Sequence, residues 1–474
     1  MLEMDPEEFR RLAHRAADIL ADDLARTTGD PTTPARRPTT ADQRTRLMDE
    51  PLPEDPRASD AILDAFELLV LPHPMGNGSP RFFGWVNSPP APMGIVGDFL
   101  ASGMDPSVAG GDHAGTYVEH ATLRWLLALL GLAPDAGAIL CSGGSVANLI
   151  GLAVMRNRFA PDVRAAGLRG APDLVIYTST EGHSCVEKAV EILGLGHDNL
   201  RKLPVDADCR LPTAALRAAI AEDRAAGRTP ACVAASAGTV NTGAIDPLDE
   251  IADLCAAEGL WFHIDGAYGG FGILAEQTGG AGGLYRGFDR ADSIAVDPHK
   301  WLSIPVECGC AIVRDKAAMR NTFSLVPPYL RDDTALPWFS EFGIQQTRGF
   351  RALKLWMTLQ AVGAAGYRRE ITRQVALTRT LQEKVRSNPA LELCSAGPLS
   401  VTCFRVRLAG GSAAEEDALN RAVTERIQAD GEVFLTSTIL AGRVGLRACI
   451  VNFRTQDADL DALLAAVLAA ATEG

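Results

Sequence analysis

One alternation constrains this chain more than any other feature. Between about residues 114 and 315, short apolar segments at 138–141, 174–177, 232–235, 260–264, 293–296 and 310–313 have strand character. Segments near 146–158, 186–193, 213–226 and 248–258 lie among them and carry apolar residues at helical spacing. Strands that are apolar on both faces need cover on both faces, and the intervening helices supply it. The pattern predicts an α/β domain built on a mainly parallel sheet. Ligands of such sheets sit beyond the carboxyl ends of the strands, so chemistry is sought there.

The flanks read differently. Asp5 caps a first helix, Pro6 suits its first turn and Glu8 completes a capping-box pattern, with Phe9, Leu12, Ala16, Ile19, Leu20 and Leu24 at helical spacing. Residues 29–56, rich in Pro, Thr and Arg, predict an extended arm, and a second helix near 59–69 ends at Pro72, Pro74, Gly76 and Gly78. Such an arm has little core of its own and packs on another body. After about residue 350, helical patterns at 352–364 and 369–387 lead into the strand-like runs LSVTCFRVRL and LRACIVNF, each followed by a helix. The expected division is an N-terminal helical arm at 1–80, a large domain at 81–350 and a smaller α+β domain at 351–474.

Charge and cysteine usage narrow the partners. Fifty-nine acidic against 45 basic side chains give a net charge of −14, which repels phosphate backbones and argues against nucleic acid. The ten cysteines form no CxxC pair, as expected of free thiols in a reducing cytoplasm. The start, MLEMDPEEF, lacks the basic and apolar run of a signal peptide, and no stretch approaches the ~18 apolar residues of a membrane span.

Three strand-end features converge. In GAILCSGGSVANLIGL, Gly143, Gly144 and Ser145 stand between a strand and a helix, where exposed amides, the helix N-terminus and a hydroxyl suit a phosphate. In LWFHIDGAYGG, Asp265 ends a strand and is followed by small residues, so its carboxylate reaches a flat ligand; a protonated pyridine nitrogen is its natural partner. In VDPHKW, Lys300 lies beyond another strand with His299 and Trp301 beside it, and an apolar setting frees its amine to form an imine with an aldehyde. Taken singly, these residues also suit a common turn, a loop cap and a solvated lysine. His183, in TSTEGHSCVEKA, also follows a strand end and is placed either to stack on a ring or to satisfy its loop.

With HIDGAYGG and DPHKW in this order, the chain resembles the group II pyridoxal-phosphate-dependent amino-acid decarboxylases, which include the aromatic L-amino-acid and glutamate enzymes; the likeness runs from about 81 to 454. The resemblance implies an aspartate aminotransferase-like fold (PLP fold type I), pyridoxal 5'-phosphate as cofactor, and a homodimer with active sites at the subunit interface. It implies that Lys300 carries the cofactor, Asp265 faces the pyridinium and His183 stacks on the ring. Gly144, Ser145 and His299 become phosphate contacts, and Thr239 and Ala267 lie against the two ring faces. Asp297 stands where some members have Asn, a difference that bears on hydrogen bonding near the lysine.

The reaction and substrate follow less directly. VPPYLRDD places Tyr329 in a segment without clear period, which resembles the family's catalytic loop, whose tyrosine protonates the substrate carbon after carbon dioxide leaves; Phe at that place marks aldehyde synthases. Arg447, in LRACIVNFRT, is read two ways, as the carboxylate clamp of an aminotransferase or as a structural arginine. RFFGWVNSPPAPMG resembles the segment lining the side-chain pocket, with Trp85, Val86 and Asn87 at its facing positions. Trp85 suits an aromatic substrate. Asp112 and His113, in PSVAGGDHAG, either bind a substrate hydroxyl or amine or satisfy each other. Decarboxylation of an aromatic amino acid is the leading expectation, ahead of a polar or aliphatic substrate, a transaminase, or an aldehyde synthase.

Overall fold

The structure, a computed structural model, describes residues 3–29, 33–279, 282–325 and 336–472. Helix α1 (Pro6–Gly29) starts beside Asp5, whose carboxylate accepts the Glu7 amide at 2.8 Å. The stretch expected to be extended contains a helix, α2 (Ala41–Met48). Its start is a reciprocal cap: Thr40 Oγ1 accepts the Gln43 amide at 3.2 Å, and Gln43 Oε1 accepts the Thr40 amide at 2.8 Å. That local pairing outweighs the Pro- and Thr-rich composition around it. Next come α3 (Ser59–Ala65), prolonged by a π-turn at Phe66–Val70, then α4 (Pro92–Met104) and α5 (Ala114–Leu129).

The alternating region follows as β1 (Gly137–Cys141), α6 (Gly144–Phe159), α7 (Val163–Ala166), β2 (Leu174–Ser179), α8 (Ser184–Ile192), β3 (Leu200–Leu203), α9 (Thr213–Ala225) and β4 (Thr229–Ser236). It continues through α10 (Leu248–Glu258), β5 (Trp261–Gly266), α11 (Ile273–Glu276), β6 (Ser293–Val296), α12 (Pro298–Trp301), β7 (Gly309–Val313) and α13 (Lys316–Phe323). The seven strands make one sheet in the order β1-β7-β6-β5-β4-β2-β3. β2 to β6 run parallel, whereas β7 is antiparallel to both β6 and β1. The link from β6 to β7 holds only the one-turn α12, too little for the crossover that a parallel pair needs. β3, at the sheet edge, escapes the apolar pattern because Arg201 and Lys202 separate its two buried leucines.

After Phe323 come α14 (Arg351–Ser387), β8 (Leu391–Ala396), β9 (Val401–Val406), α15 (Ala413–Asp430), β10 (Thr436–Leu440), β11 (Arg443–Cys449) and α16 (Asp457–Thr472). α14 is broken at Gly363, whose φ of 69° only glycine adopts readily, and the break separates the two helical patterns read from the sequence. A second sheet has the order β10-β11-β9-β8.

The chain divides into two compact units, 1–89 with 380–394 and 403–474, and 90–379 with 395–402. This partition differs from boundaries at 80 and 350 for a visible reason in the first unit. Residues 81–83 bond to the strand-like chain near 434: Phe434 N donates to Arg81 O at 3.1 Å and Phe83 N to Phe434 O at 2.7 Å. Phe82 stacks on Phe434 with ring centroids 4.9 Å apart. The seven-stranded sheet belongs to the second unit. No helix among the described residues is long and apolar enough to cross a membrane, and the ten cysteines are free thiols, buried except for the half-buried Cys209 and Cys394.

The second unit buries two opposite charges. Arg348 and Glu119 are fully buried and pair with each other. His120, on α5, packs against Phe339 with ring centroids 4.4 Å apart, and burial, then Lys316 and Arg124, pushes its pKa down to about 4. A lowered histidine pKa means that the unfolded chain takes the proton first, so stability present above pH ~6.5 is lost as pH falls toward 4. Because the ring is only partly buried, a loss of about 1 kcal/mol is expected after solvent screening. Urea unfolding at pH 7 and pH 4.5 checks this: His120→Phe should lose about 1 kcal/mol less than the parent across that window.

Candidate active site

A cavity of about 380 Å³ opens in the second unit where the parallel strands end. Five strand ends contribute to it: Gly143, Gly144 and Ser145 after β1, His183 and Cys185 after β2, and Thr239 after β4. Asp265 and Ala267 follow from β5, and Asp297, His299 and Lys300 from β6. Nine of the residues expected from the sequence therefore share one space.

The glycine turn is required by close approach. A Cβ on Gly144 would stand 2.7 Å from Ala267 Cβ and 2.9 Å from Asp297 Oδ2, and a Cβ on Gly309 would stand 2.5 Å from Gly143 Cα. The turn opens α6, a helix of 16 residues, whose N-terminal amides and partial positive charge suit an anion.

Asp265 ends β5 almost buried, at 9% exposure. Its Oδ1 accepts the Ala267 amide at 3.1 Å, and its Oδ2 accepts from the Cys185 thiol at 3.6 Å. His183 caps α8; its Nδ1 accepts the Cys185 amide at 3.1 Å, which leaves the hydrogen on Nε2. Thr239 is buried, with its hydroxyl 2.9 Å from that of Thr242.

Lys300 rides on the one-turn α12, and the next residue anchors that turn. Trp301 is buried, stacks on Tyr268 at 5.5 Å between centroids, and donates its indole N–H to Gln374. Lys300 Nζ lies 3.0 Å from Asp297 Oδ2, while Asp297 Oδ1 is buried with no hydrogen-bond partner among the described residues. His299 Nδ1 accepts the Cys308 amide at 3.1 Å, its Nε2 stands 3.7 Å from Asp297 Oδ2, and burial lowers its pKa. The neutral ring is thus a donor through Nε2.

The other expected residues are not among those that line this cavity. Trp85, Val86, Asn87 and Arg447 belong to the first unit. There Arg447 is buried and donates from Nη1 to Trp85 O at 2.9 Å. The Trp85 ring is 47% exposed and lies 5.1 Å from that of Phe434. Asp112 and His113 do not satisfy each other: Tyr117 donates to Asp112 Oδ1 at 2.6 Å, and His113 Nε2 stands 3.3 Å from Thr116 Oγ1. Tyr329 lies outside the described residues.

Sequence reasoning missed Cys185 as a partner of Asp265, and it noted Asp297 only as a departure from Asn. The second had a signal: Asp297 and Lys300 are three residues apart, one turn of a helix. Cys185 had none, because its partner comes from another strand.

An amine beside a buried carboxylate, a second carboxylate at a neighbouring strand end and an anion-binding turn define a cofactor site of the aldehyde-carrying kind. The glycine cradle and the donor set fit pyridoxal phosphate at its phosphate, ring and aldehyde ends. The chain belongs to the pyridoxal-dependent decarboxylases: the model of their conserved domain matches residues 41–407. An aromatic-L-amino-acid decarboxylase of Bacillus atrophaeus is 31% identical over 482 residues, covering 100% of this chain and 97% of that one. An L-2,4-diaminobutyrate decarboxylase of Rhizobium meliloti is 33% identical over 412 residues, 86% of this chain and 81% of the other. The solved structure of Oryza sativa TDC with PLP and tryptamine superposes with a TM-score of 0.92 at 26% identity, covering 100% of this chain and 99% of that one. The protein is accordingly a pyridoxal-phosphate-dependent carboxy-lyase with the fold of that family.

Proposed function

We propose that this enzyme decarboxylates an aromatic L-amino acid to its amine and carbon dioxide. The observation that carries the substrate class is the 31% identity, over the whole chain, to an aromatic-L-amino-acid decarboxylase.

In this reading Lys300 would hold the cofactor at its aldehyde end, with Asp297 orienting its amine from 3.0 Å. Gly143, Gly144, Ser145 and the His299 Nε2–H hold the phosphate. Asp265 would meet the ring nitrogen, and His183, Thr239 and Ala267 would hold the ring. When bound, pyridoxal phosphate supplies an electron sink for the pair released as the carboxylate leaves. Tyr329 then delivers a proton to the substrate Cα.

A second reading rests on a specific relative. The 33% identity to an L-2,4-diaminobutyrate decarboxylase favours a polar substrate, for which Asp112 and His113 offer donors and acceptors. A panel of L-amino acids assayed for carbon dioxide and amine separates the two. Fastest turnover of tyrosine, tryptophan or dihydroxyphenylalanine is expected; fastest turnover of diaminobutyrate replaces the substrate class, and no carbon dioxide from any member refutes decarboxylation. On the best substrate in aerated buffer, Tyr329→Phe should lower amine formation by about two orders of magnitude, with aldehyde, ammonia and hydrogen peroxide in its place as dioxygen takes up the electron pair. Unchanged amine formation removes Tyr329 from the mechanism.

We also propose a homodimer in the cytoplasm. Met93, Val96, Phe99, Leu100 and Met104 on α4 are exposed apolar residues of one helix, more than a lone soluble chain commonly shows water. The free thiols suit a reducing compartment. A mass in solution of twice 50.3 kDa is the direct check on the dimer.

A further inference from the structure

Behind the cavity wall, buried side chains form a hydrogen-bonded chain that none of these roles uses. Trp261 Nε1 donates to Ser293 Oγ at 2.8 Å, and Ser293 Oγ lies 2.7 Å from His263 Nδ1. His263 Nε2 lies 2.6 Å from Asn148 Oδ1, and Asn148 Nδ2 reaches both Gly144 O at 2.8 Å and Cys185 Sγ at 3.3 Å. The thiol of Cys185 then reaches Asp265 Oδ2 at 3.6 Å. Every one of these groups is buried, with His263 and Asn148 at 0% exposure.

The chemistry of the two ends sets the direction of every bond between them. An indole N–H only donates, so Ser293 accepts from Trp261 and spends its own hydrogen on His263 Nδ1. The imidazole therefore carries its hydrogen on Nε2 and gives it to Asn148 Oδ1. The amide group of Asn148 is thereby turned toward Gly144 and Cys185. The sulfur receives one of its hydrogens, and the thiol hydrogen is left for the carboxylate, an acceptor. Burial lowers the pKa of His263, in keeping with the neutral ring this order requires. Gly151 makes room for the ring and its partner, since a Cβ there would stand 2.9 Å from His263 Cε1 and 3.0 Å from Ser293 Oγ.

We propose that Cys185 is a positioning residue for Asp265, and that the buried chain from Trp261 through Asn148 fixes the direction in which its thiol donates. Asp265 is then held by one donor on each oxygen, the Ala267 amide on Oδ1 and the Cys185 thiol on Oδ2. The same Asn148 amide holds the carbonyl of Gly144, so one side chain registers the carboxylate against the glycine turn. The inference rests on the reading that Asp265 meets the ring nitrogen.

The test uses the full-length enzyme, with pyridoxal phosphate removed and added back. Cofactor affinity is read by tryptophan fluorescence, and the visible absorbance of the bound cofactor is titrated with pH. Cys185→Ala should weaken affinity about five- to ten-fold, the scale of one lost hydrogen bond, and move the pH midpoint of the absorbance. Cys185→Ser, which keeps a donor, should stay within about two-fold of the parent. Ser293→Ala, which leaves the cavity lining intact, should move the midpoint in the same direction as Cys185→Ala. A Cys185→Ala protein indistinguishable from the parent overturns the proposal. So does a Cys185→Ser protein as impaired as the alanine variant, because the thiol then only fills space. Should Cys185→Ala fail to fold, an unmoved midpoint in Ser293→Ala is decisive against it. Asp265→Ala separates the layers: if it keeps affinity and absorbance, the ring-nitrogen reading itself fails, whereas an impaired Asp265→Ala beside silent Cys185 and Ser293 variants refutes the relay alone.

Discussion

Lys300→Ala is expected to give a folded protein that releases no measurable carbon dioxide, a loss on the order of 10⁴-fold or more, as when a covalent nucleophile is removed. The amine stands in the cavity 3.0 Å from a carboxylate, and the alanine removes it without touching its supports. Trp301 keeps its stacking on Tyr268 and its bond to Gln374, so the one-turn helix stays in place. The variant also strips Asp297 of its cation. Lys300→Arg distinguishes the two consequences, because it keeps a positive charge near Asp297 and cannot make the covalent link. Both variants should lack the visible absorbance of the linked cofactor, while the arginine variant should unfold closer to the parent in urea. Substantial turnover by Lys300→Ala would place the chemistry elsewhere.

The largest expected effect on stability lies at Arg348. Its guanidinium is completely buried, donates to Glu119 Oε2 at 3.2 Å, to Val108 O at 2.6 Å and to Leu140 O at 2.8 Å, and lies 5.1 Å from the centroid of Phe339. Removing one member of such a pair strands a charge in the interior, and Arg348→Met should cost about 3–5 kcal/mol. Glu119→Gln should fall in the same direction. The double variant Glu119→Leu with Arg348→Met should cost less than the two single changes summed, because no charge is then left alone. Equilibrium urea unfolding measures all three, and strict additivity would show that the pair is not coupled. The arginine also steadies the site, since Leu140 precedes Cys141, the last residue of β1 before the glycine turn.

How much of this was legible in the sequence depends on the reach of each interaction. Lys300, Asp265, His183 and the Gly143–Ser145 turn were readable because each follows an apolar strand, and parallel strands bring their ends together. The strands themselves were readable where burial is continuous, as in β4 and β5. β3 was not, because an edge strand with Arg201 and Lys202 at its centre does not look apolar. α2 was hidden by composition, although Thr40 and Gln43 carried its cap. The antiparallel direction of β7 followed from a short link that the pattern alone does not evaluate. Long-range polar pairs left no trace: Arg348 and Glu119 are 229 residues apart, and Cys185 and Asp265 are 80 apart. Their partners are chosen by the folded chain, not by local spacing.

Whether Lys300 carries the cofactor is read directly by chemical trapping. The enzyme, saturated with pyridoxal phosphate, is reduced with borohydride, digested and mapped by mass spectrometry. A phosphopyridoxyl group on the peptide containing Lys300 is the predicted result; the group on another lysine, or on none, would contradict it.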